Sequence, residues 1–217
     1  MSLFYLRLIP SPFSAENIPM KTNLSSILMS IFLLSLFVSC ANLKPNVSQE
    51  RHEPPVYIMG QGKVSADKKA QFLLQNNPAA DKAFVKSLAR YYVEEASFEG
   101  VNHDIAFAQM CLETGFLRFG GDVKPQQYNF AGLGAVGNGE PGLSFPDPRT
   151  GVRAQIQHLK AYGSEEPLNL PLVNPRFRFV RRGCAPTYEG LAGTWAADRQ
   201  YAVKIDTILK RLYEFSF

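Results

Sequence analysis

The spacing of apolar residues between Asn77 and Leu212 constrains the fold more than any other feature of the chain. In four stretches these residues recur every three to four positions, which places them on one face of a helix. We predict helices from the Asn77-Pro78 pair to about Phe98, from an Asp104 cap to Phe116, from a Thr150 cap to Gly163, and from about Arg199 to Leu212. The sequence contains no strand-rich segment and no internal repeat. The pattern predicts one mainly helical domain.

A glycine-rich stretch, NFAGLGAVGNGEPG at 129–142, separates the second and third predicted helices and contains the pattern G-x-G-x-x-G. In a dinucleotide-binding loop this pattern follows a strand and opens a helix. Here the preceding run is polar and contains Pro125, and the following Asn138-Gly-Glu-Pro-Gly142 cannot begin a helix. Without a helix N-terminus there is no row of free N–H groups for a phosphate. We therefore predict a small Gly-rich loop or hairpin lobe, not a nucleotide site.

Residues 1–40 resemble an upstream extension followed by an export signal. A lysine precedes an apolar run of roughly a dozen residues, which ends in Phe37-Val-Ser-Cys40. The run is shorter than the roughly 20 residues that a spanning helix needs, and a plain transmembrane anchor is the alternative. The ending resembles a bacterial lipoprotein box, which implies lipidation of Cys40 and a membrane-anchored location in the cell envelope, on the periplasmic side or the cell surface. Met20 fits the start of this signal better than Met1 does.

Residues 41–62 carry prolines, polar residues and charges without periodicity, which is typical of a flexible tether, and the folded domain is then 63–217. Cys111 and Cys184 form an even pair in a compartment that permits disulfides, and both a disulfide and two free thiols remain open. Neither cysteine has a partner at ligand spacing, so we expect no metal and no cofactor. The net charge is +4, and the sequence contains no basic tract of the kind that nucleic-acid binding requires. We expect a monomer.

The candidate chemistry lies in acidic residues, because the three histidines are isolated and no HExxH or G-x-S-x-G motif occurs. Glu113 lies beside the apolar stripe of its predicted helix, within one turn of Gly115. Burial at such a position raises the pKa of a carboxyl. A carboxyl that keeps its proton can act as the general acid in glycosidic bond cleavage. An ordinary solvated helix glutamate is the alternative.

Four blocks resemble, in order, the glucosaminidase family of peptidoglycan hydrolases. They are Gln109–Gly115 (QMCLETG), Asn129–Ala135 (NFAGLGA), Phe145–Val152 (FPDPRTGV) and Trp195–Ile205 (WAADRQYAVKI). The first is similar to the family's A-Q-A-x-L-E-S-G helix, which carries the catalytic acid, and the second to its N-L-F-G-I-K-G. The third is similar to F-x-x-Y-x-S-x-x, and the fourth to Y-A-T-D-P-x-Y-A-x-K-I. The blocks extend over most of the predicted domain.

The resemblance implies a lysozyme-like fold of the α+β class, mainly α. It also implies hydrolysis of the β-1,4 bond after N-acetylglucosamine in peptidoglycan glycan strands. It implies that Glu113 is the general acid and that the glycine-rich stretch leads into one wall of the sugar-binding groove. The substrate-binding candidates are Gln109, Asn129, Phe130, Trp195 and Tyr201. The last two are expected to orient the sugar, because a flat aromatic face can stack on a sugar ring.

The chain departs from the family pattern in places. Trp195 stands where the family usually has tyrosine, Arg199 replaces a proline, and Phe116 replaces a tryptophan. The family does not fix a second carboxylate; Glu140 is the candidate by position, and the alternatives are a solvated loop acid at this position and assistance by the substrate's own acetamido group. Asp198 matches the family's aspartate, but we predict that it caps the last helix. The alternative functions are a muramidase or lytic transglycosylase and a non-catalytic glycan-binding lipoprotein.

Overall fold

The computed structural model describes residues 52–135, Gly137 and 139–217, so Cys40 and the predicted signal lie outside the described residues. These described residues form five α-helices: α1 (Ala66–Asn76), α2 (Lys82–Glu99), α3 (His103–Glu113), α4 (Pro148–Gly163) and α5 (Tyr201–Ser216). Three short 3₁₀-helices lie in their connections: Pro125–Gln127, Phe177–Phe179 and Tyr188–Leu191. Over the described ranges β-structure consists of isolated bridges, and no helix is long and apolar enough to cross a bilayer. The predicted mainly helical fold is confirmed.

Helix α3 lies at the centre of the domain. Every residue from His103 to Cys111 is buried, and α2, α4 and α5 all pack against the helix. The prediction of a single apolar stripe is therefore wrong for this helix, because neighbours cover all of its faces. Its predicted last residue, Phe116, lies beyond its end at Glu113. A helix buried on every side requires that its polar side chains find partners inside the protein.

The starts of α2 and α3 differ from the predicted ones. Asn77 follows the end of α1, and α2 is instead capped by Asp81, whose side chain accepts from the Phe84 N–H at 2.6 Å. Helix α3 is capped by Asn102 and not by Asp104. Two residues able to cap lie near each of these starts, so local sequence alone does not select between them.

The starts of α4 and α5 also lie a few residues from the predicted ones. Asp147 caps α4, and its carboxylate accepts from the N–H of Thr150 at 2.9 Å, so Thr150 lies inside the first turn. Helix α5 begins at Tyr201 after Gln200. The carboxylate of Asp198 accepts from the Gln200 N–H at 2.8 Å, so it orders the approach to the helix without being its cap residue.

The segment before α1 packs onto the domain. Ile58 is fully buried, its N–H donates to Pro186 O at 2.9 Å, and its carbonyl accepts from Asn102 N–H at 2.7 Å. The prediction of a flexible tether is therefore wrong for residues 57–62. Helix α1, which follows them, was not among the predicted helices.

The two cysteines of the domain are free thiols. Cys111 is fully buried on α3, and Cys184 is half-buried in the loop before the third 3₁₀-helix. Burial raises the pKa of the Cys111 thiol far above its ordinary value, so the group remains protonated. Of the two alternatives that the sequence left open, the structure contains the thiols.

A buried ion pair ties the beginning of α3 to the rest of the domain. Asp104 accepts from Lys69 of α1 at 2.5 Å, from the Lys63 N–H at 2.7 Å, and from the Tyr213 hydroxyl of α5 at 2.8 Å. Both charged side chains of the pair are fully buried. Burial alone would raise the pKa of Asp104, but hydrogen bonds and charge from His103 and Lys69 hold it well below its usual range.

We predict that Asp104→Asn destabilises the protein, because it leaves the Lys69 ammonium buried without a carboxylate. Removing one partner of a buried ion pair costs about 3–5 kcal/mol, and a loss of this size is expected in the unfolding free energy from denaturant titration. The matched control is Asp198→Asn, which breaks the exposed pair with Lys204. The control should unfold like the wild type. Equal stability of the two variants would contradict the role given to the buried pair.

Candidate active site

Glu113 lies where the buried helix α3 reaches the surface. It is the last residue of the helix, and it keeps an exposed surface although the residues before it are buried. The chain then turns at Gly115, whose φ of 56° is in the left-handed region that glycine adopts without steric cost. The Thr114 hydroxyl donates to Met110 O at 2.8 Å and closes the helix end. The sequence thus presents one carboxyl at the end of a rigid, buried element.

Two neighbours give the two oxygens of Glu113 different surroundings. Tyr201, the first residue of α5, donates its hydroxyl hydrogen to Oε1 of Glu113. Gly132 of the glycine-rich stretch lies beside Oε2, and a β-carbon at this glycine would be 3.5 Å from that oxygen. One oxygen is therefore held by the protein, and the other faces the glycine-rich stretch.

The surroundings raise the pKa of the Glu113 carboxyl. Burial among neighbouring groups is the main cause, since it disfavours the charged form. The Tyr201 hydroxyl and the nearby Trp195 indole act in the opposite direction, because both favour the carboxylate. Water reaches the exposed part of the residue and moderates the effect of burial. The carboxyl consequently keeps its proton to a higher pH than an ordinary glutamate does.

Trp195 forms an aromatic group beside this carboxyl. Its ring packs edge-on against His158, with centroids 4.9 Å apart, and against Tyr162, with centroids 5.5 Å apart. The indole is only partly buried, so part of its flat face is open to a ligand. Burial lowers the pKa of His158 to about 4, with the Arg176 charge as a further cause, so this histidine is a neutral packing partner.

Three of the predicted substrate-binding residues, Gln109, Asn129 and Phe130, are buried. The Asn129 amide donates to the carbonyls of Leu133 and Leu143 at 2.9 and 3.0 Å, and its oxygen accepts from the Leu133 N–H at 2.9 Å. Phe130 lies in the main core. Asn129 shapes the glycine-rich stretch, and the other two support the site from the interior; contact of these three residues with the substrate stays a prediction. A family motif identifies residues that a site needs, but it does not show which of them contact the ligand and which support the fold of the site.

Glu140 lies on the exposed part of the glycine-rich stretch. Its N–H donates to Gly137 O at 3.2 Å, and the two residues form an isolated antiparallel bridge. The bridge fits the predicted loop or hairpin character of this lobe. The role of Glu140 as a second carboxylate stays a prediction.

Two further polar residues belong to the surroundings of the site but were not predicted. Gln155 of α4 and Tyr92 of α2 are fully buried and lie in line behind Gln109. Gln155 is three residues after Val152 on the face of its helix that the apolar pattern assigned to the core. A polar residue on a core face must have a buried partner, and this rule is the signal that could have identified Gln155 from the sequence.

A helical domain that presents one proton-retaining carboxyl beside a tyrosine and a half-open tryptophan has the arrangement that a glycoside hydrolase uses for its general acid. Comparison with known proteins agrees with this class. The glucosaminidase family model, described as mannosyl-glycoprotein endo-β-N-acetylglucosaminidase, matches residues 89–214. The chain belongs to the glucosaminidase family, and it is a glycoside hydrolase with a glycan substrate.

One similar protein comes from Borreliella burgdorferi and is described as an uncharacterized protein. It is 41% identical over 174 residues, which cover 80% of this chain and 84% of the relative. No solved structure matches the chain at a significant level.

We predict that Gly132→Leu lowers glycan hydrolysis by at least about tenfold, because the new side chain would fill the space beside Oε2 of Glu113. The matched control is Gly139→Leu, at a glycine that also has a positive φ but has open space around it. Both variants place leucine at a positive φ, 63° at Gly132 and 86° at Gly139, and only the first places it beside the carboxyl. The check is the rate of clearing of purified peptidoglycan. Similar rates for the two variants would contradict the placement of Gly132 beside the reacting groups.

Proposed function

We propose that the enzyme hydrolyses the β-1,4 bond after N-acetylglucosamine in peptidoglycan glycan strands, with Glu113 as the general acid. The observation that carries this proposal is the unequal setting of the two carboxyl oxygens. Oε1 accepts a hydrogen bond from Tyr201, and Oε2 faces the glycine-rich stretch at an exposed position. Because Oε1 already accepts that hydrogen, the acidic proton of Glu113 is carried on Oε2, the oxygen that a ligand can approach.

The first step of the proposed reaction transfers this proton. Oε2 of Glu113 donates it to the glycosidic oxygen while the bond from that oxygen to C1 breaks, and the leaving sugar departs as an alcohol. The raised pKa keeps the acid protonated before the transfer. The Tyr201 hydroxyl then stabilises the carboxylate that remains. Trp195 provides an apolar face against which the sugar ring can stack.

The second step delivers water to C1 of the oxocarbenium-like centre. In one route Glu140 removes the proton from the attacking water, and in the other the acetamido group of the substrate first closes on C1 and water then opens the ring. The exposed position of Glu140 on the lobe is compatible with a residue that reaches the site when a glycan binds. The stereochemistry of the product separates the two routes.

The family supports a glycan substrate, and the sequence supports peptidoglycan as that glycan. The mild net charge of +4 is compatible with an anionic envelope polymer. The predicted lipidation at Cys40, outside the described residues, would place the enzyme beside that polymer. Labelling with a fatty-acid analogue, with Cys40→Ser as the negative control, tests this location, and an unlabelled wild type would reject it.

Replacement of the proposed acid by its amide is expected to abolish most turnover. Glu113→Gln keeps the size of the side chain but has no proton to donate, so hydrolysis should fall by at least about a hundredfold while binding to sacculi persists. Glu214→Gln, at an exposed glutamate of α5, is the control and should retain full activity. In the wild type the rate should fall as pH rises through the pKa of Glu113, at a higher pH than for an ordinary carboxyl. Near-normal turnover of Glu113→Gln would reject the mechanism.

Mass spectrometry of digested peptidoglycan tests the bond that is cleaved. We expect fragments with N-acetylglucosamine at the reducing end. N-acetylmuramic acid at that end would identify a muramidase, an anhydro sugar would identify a lytic transglycosylase, and binding without cleavage would identify a glycan-binding protein. Each of these three results would replace the proposal.

The same digest, followed by NMR during the first turnovers, assigns the second step. Inversion at C1 is expected if Glu140 activates the water, because the water then attacks the face opposite the leaving group. Retention is expected if the acetamido group assists, since C1 is then displaced twice. Retention would reject Glu140 as the base that activates the water.

A further inference from the structure

A line of buried polar side chains leads from α2 to Glu113. The Tyr92 hydroxyl donates to Oε1 of Gln155 at 2.5 Å, and Nε2 of Gln155 donates to Oε1 of Gln109 at 2.8 Å. Nε2 of Gln109 donates to the Tyr201 hydroxyl oxygen at 3.0 Å, and Tyr201 donates to Glu113. The four residues behind the carboxyl come from four different helices, and none is more than 5% exposed.

The direction of donation along this line is fixed at Ala106. A backbone carbonyl can only accept a hydrogen bond, and Nε2 of Gln155 donates to Ala106 O at 3.0 Å. The amide nitrogen of Gln155 therefore faces Ala106 and Gln109, so Gln109 must present its oxygen to Gln155 and its nitrogen to Tyr201. Since the Tyr201 oxygen accepts from Gln109, the Tyr201 hydrogen is directed to Glu113.

We propose that Gln155 is a positioning residue that fixes, through Gln109, the Tyr201 hydroxyl as a donor to the acid of this glycosidase. Tyr92 occupies the oxygen of Gln155 at the outer end of the line and leaves that amide fully hydrogen-bonded. This inference rests on the proposed role of Glu113. Gln155 and Tyr92 act only through their neighbours, since both are fully buried and cannot touch a substrate.

Removal of the Gln155 amide is expected to change the hydrogen bond that Tyr201 donates to Glu113. The Gln109 amide can then turn over and offer its oxygen to Tyr201, whose hydrogen leaves Glu113. A carboxylate that loses a hydrogen-bond donor is less stable, so the pKa of Glu113 rises. Besides Tyr201, the Trp195 indole also affects the pKa of the Glu113 carboxyl. Tyr162 of α4 affects the pKa of Tyr201. Among the described residues no other charged side chain shifts the pKa of either group.

The experiment compares two substitutions on the same helix. Gln155→Met removes the line's central amide and keeps the length of the side chain. Gln157→Met is the control: Gln157 is equally buried, donates to Pro171 O at 2.9 Å and accepts from the Val173 N–H at 2.9 Å, so the variant loses buried side-chain hydrogen bonds that lie outside the line.

Two quantities are measured for each variant. The first is the pH profile of kcat/KM on peptidoglycan, and the second is the titration of the Glu113 carboxyl by ¹³C NMR in the substrate-free protein. In Gln155→Met the high-pH limb of the profile and the NMR titration should both move upward by about one unit, while Gln157→Met stays with the wild type. The plateau value of kcat in Gln155→Met should fall roughly tenfold with KM unchanged, because the carboxyl is held less firmly.

An unshifted Glu113 titration in Gln155→Met would overturn the inference, and so would an equal shift in Gln157→Met. If Gln155→Met does not fold, Gln155→Leu takes its place, because leucine likewise has no donor for the Gln109 oxygen. Its Glu113 titration should also move upward, and no movement would overturn the inference. The NMR titration needs no turnover, so the positioning role and the proposed function can fail separately.

Discussion

The burial of α3 from His103 to Cys111 is the constraint on which the rest of the structure depends. A helix covered on every side can carry polar residues only where the surrounding helices supply partners. Asp104 at its beginning is paired with Lys69, and Gln109 near its middle is bonded to residues of α4 and α5. Glu113 is the position where the cover ends. Helix α5, which supplies a partner for Gln109, also supplies the Tyr201 hydroxyl that holds the Glu113 carboxyl, which gives the candidate site a rigid support.

The chain immediately after Glu113 has a strained backbone where it turns away from the buried helix. Phe116 and Leu117 both have a positive φ, at 58° and 64°, a conformation that costs roughly 1–2 kcal/mol for each residue other than glycine. Thr114 helps to hold this turn, because its hydroxyl accepts from the Leu117 N–H at 2.9 Å. Asn77 adds a hydrogen bond from its amide to Phe116 O at 2.8 Å. Backbone strain beside a functional group persists only where several contacts impose it, as they do here.

The helical class of the fold and the region of the site could be predicted from the sequence. The sequence did not decide between two nearby residues that can play the same local role. Apolar periodicity identified four of the five helices in the described part of the chain. It did not separate Asn102 from Asp104 as a cap, because the buried contact of Asp104 with Lys69 is a tertiary feature. Family motifs located Glu113, but they could not show that Asn129 is turned inward. The orientation of such a side chain depends on how separate segments pack together, and a short motif carries no information about that packing.

A donor directed at a general acid has two opposing effects. The Tyr201 hydroxyl stabilises the charged form of Glu113, so it makes the proton of the resting acid easier to lose. Burial has the opposite effect and keeps this proton on the carboxyl. In the proposed mechanism negative charge develops on the carboxyl as the proton moves to the leaving oxygen. A donor already in position stabilises this charge most where it is largest, in and after the transition state. Burial acts chiefly on the resting acid, and the hydrogen bond acts chiefly on the reacting one. Their combination lets a glutamate retain its proton until a glycosidic oxygen is present and still release it in the reaction.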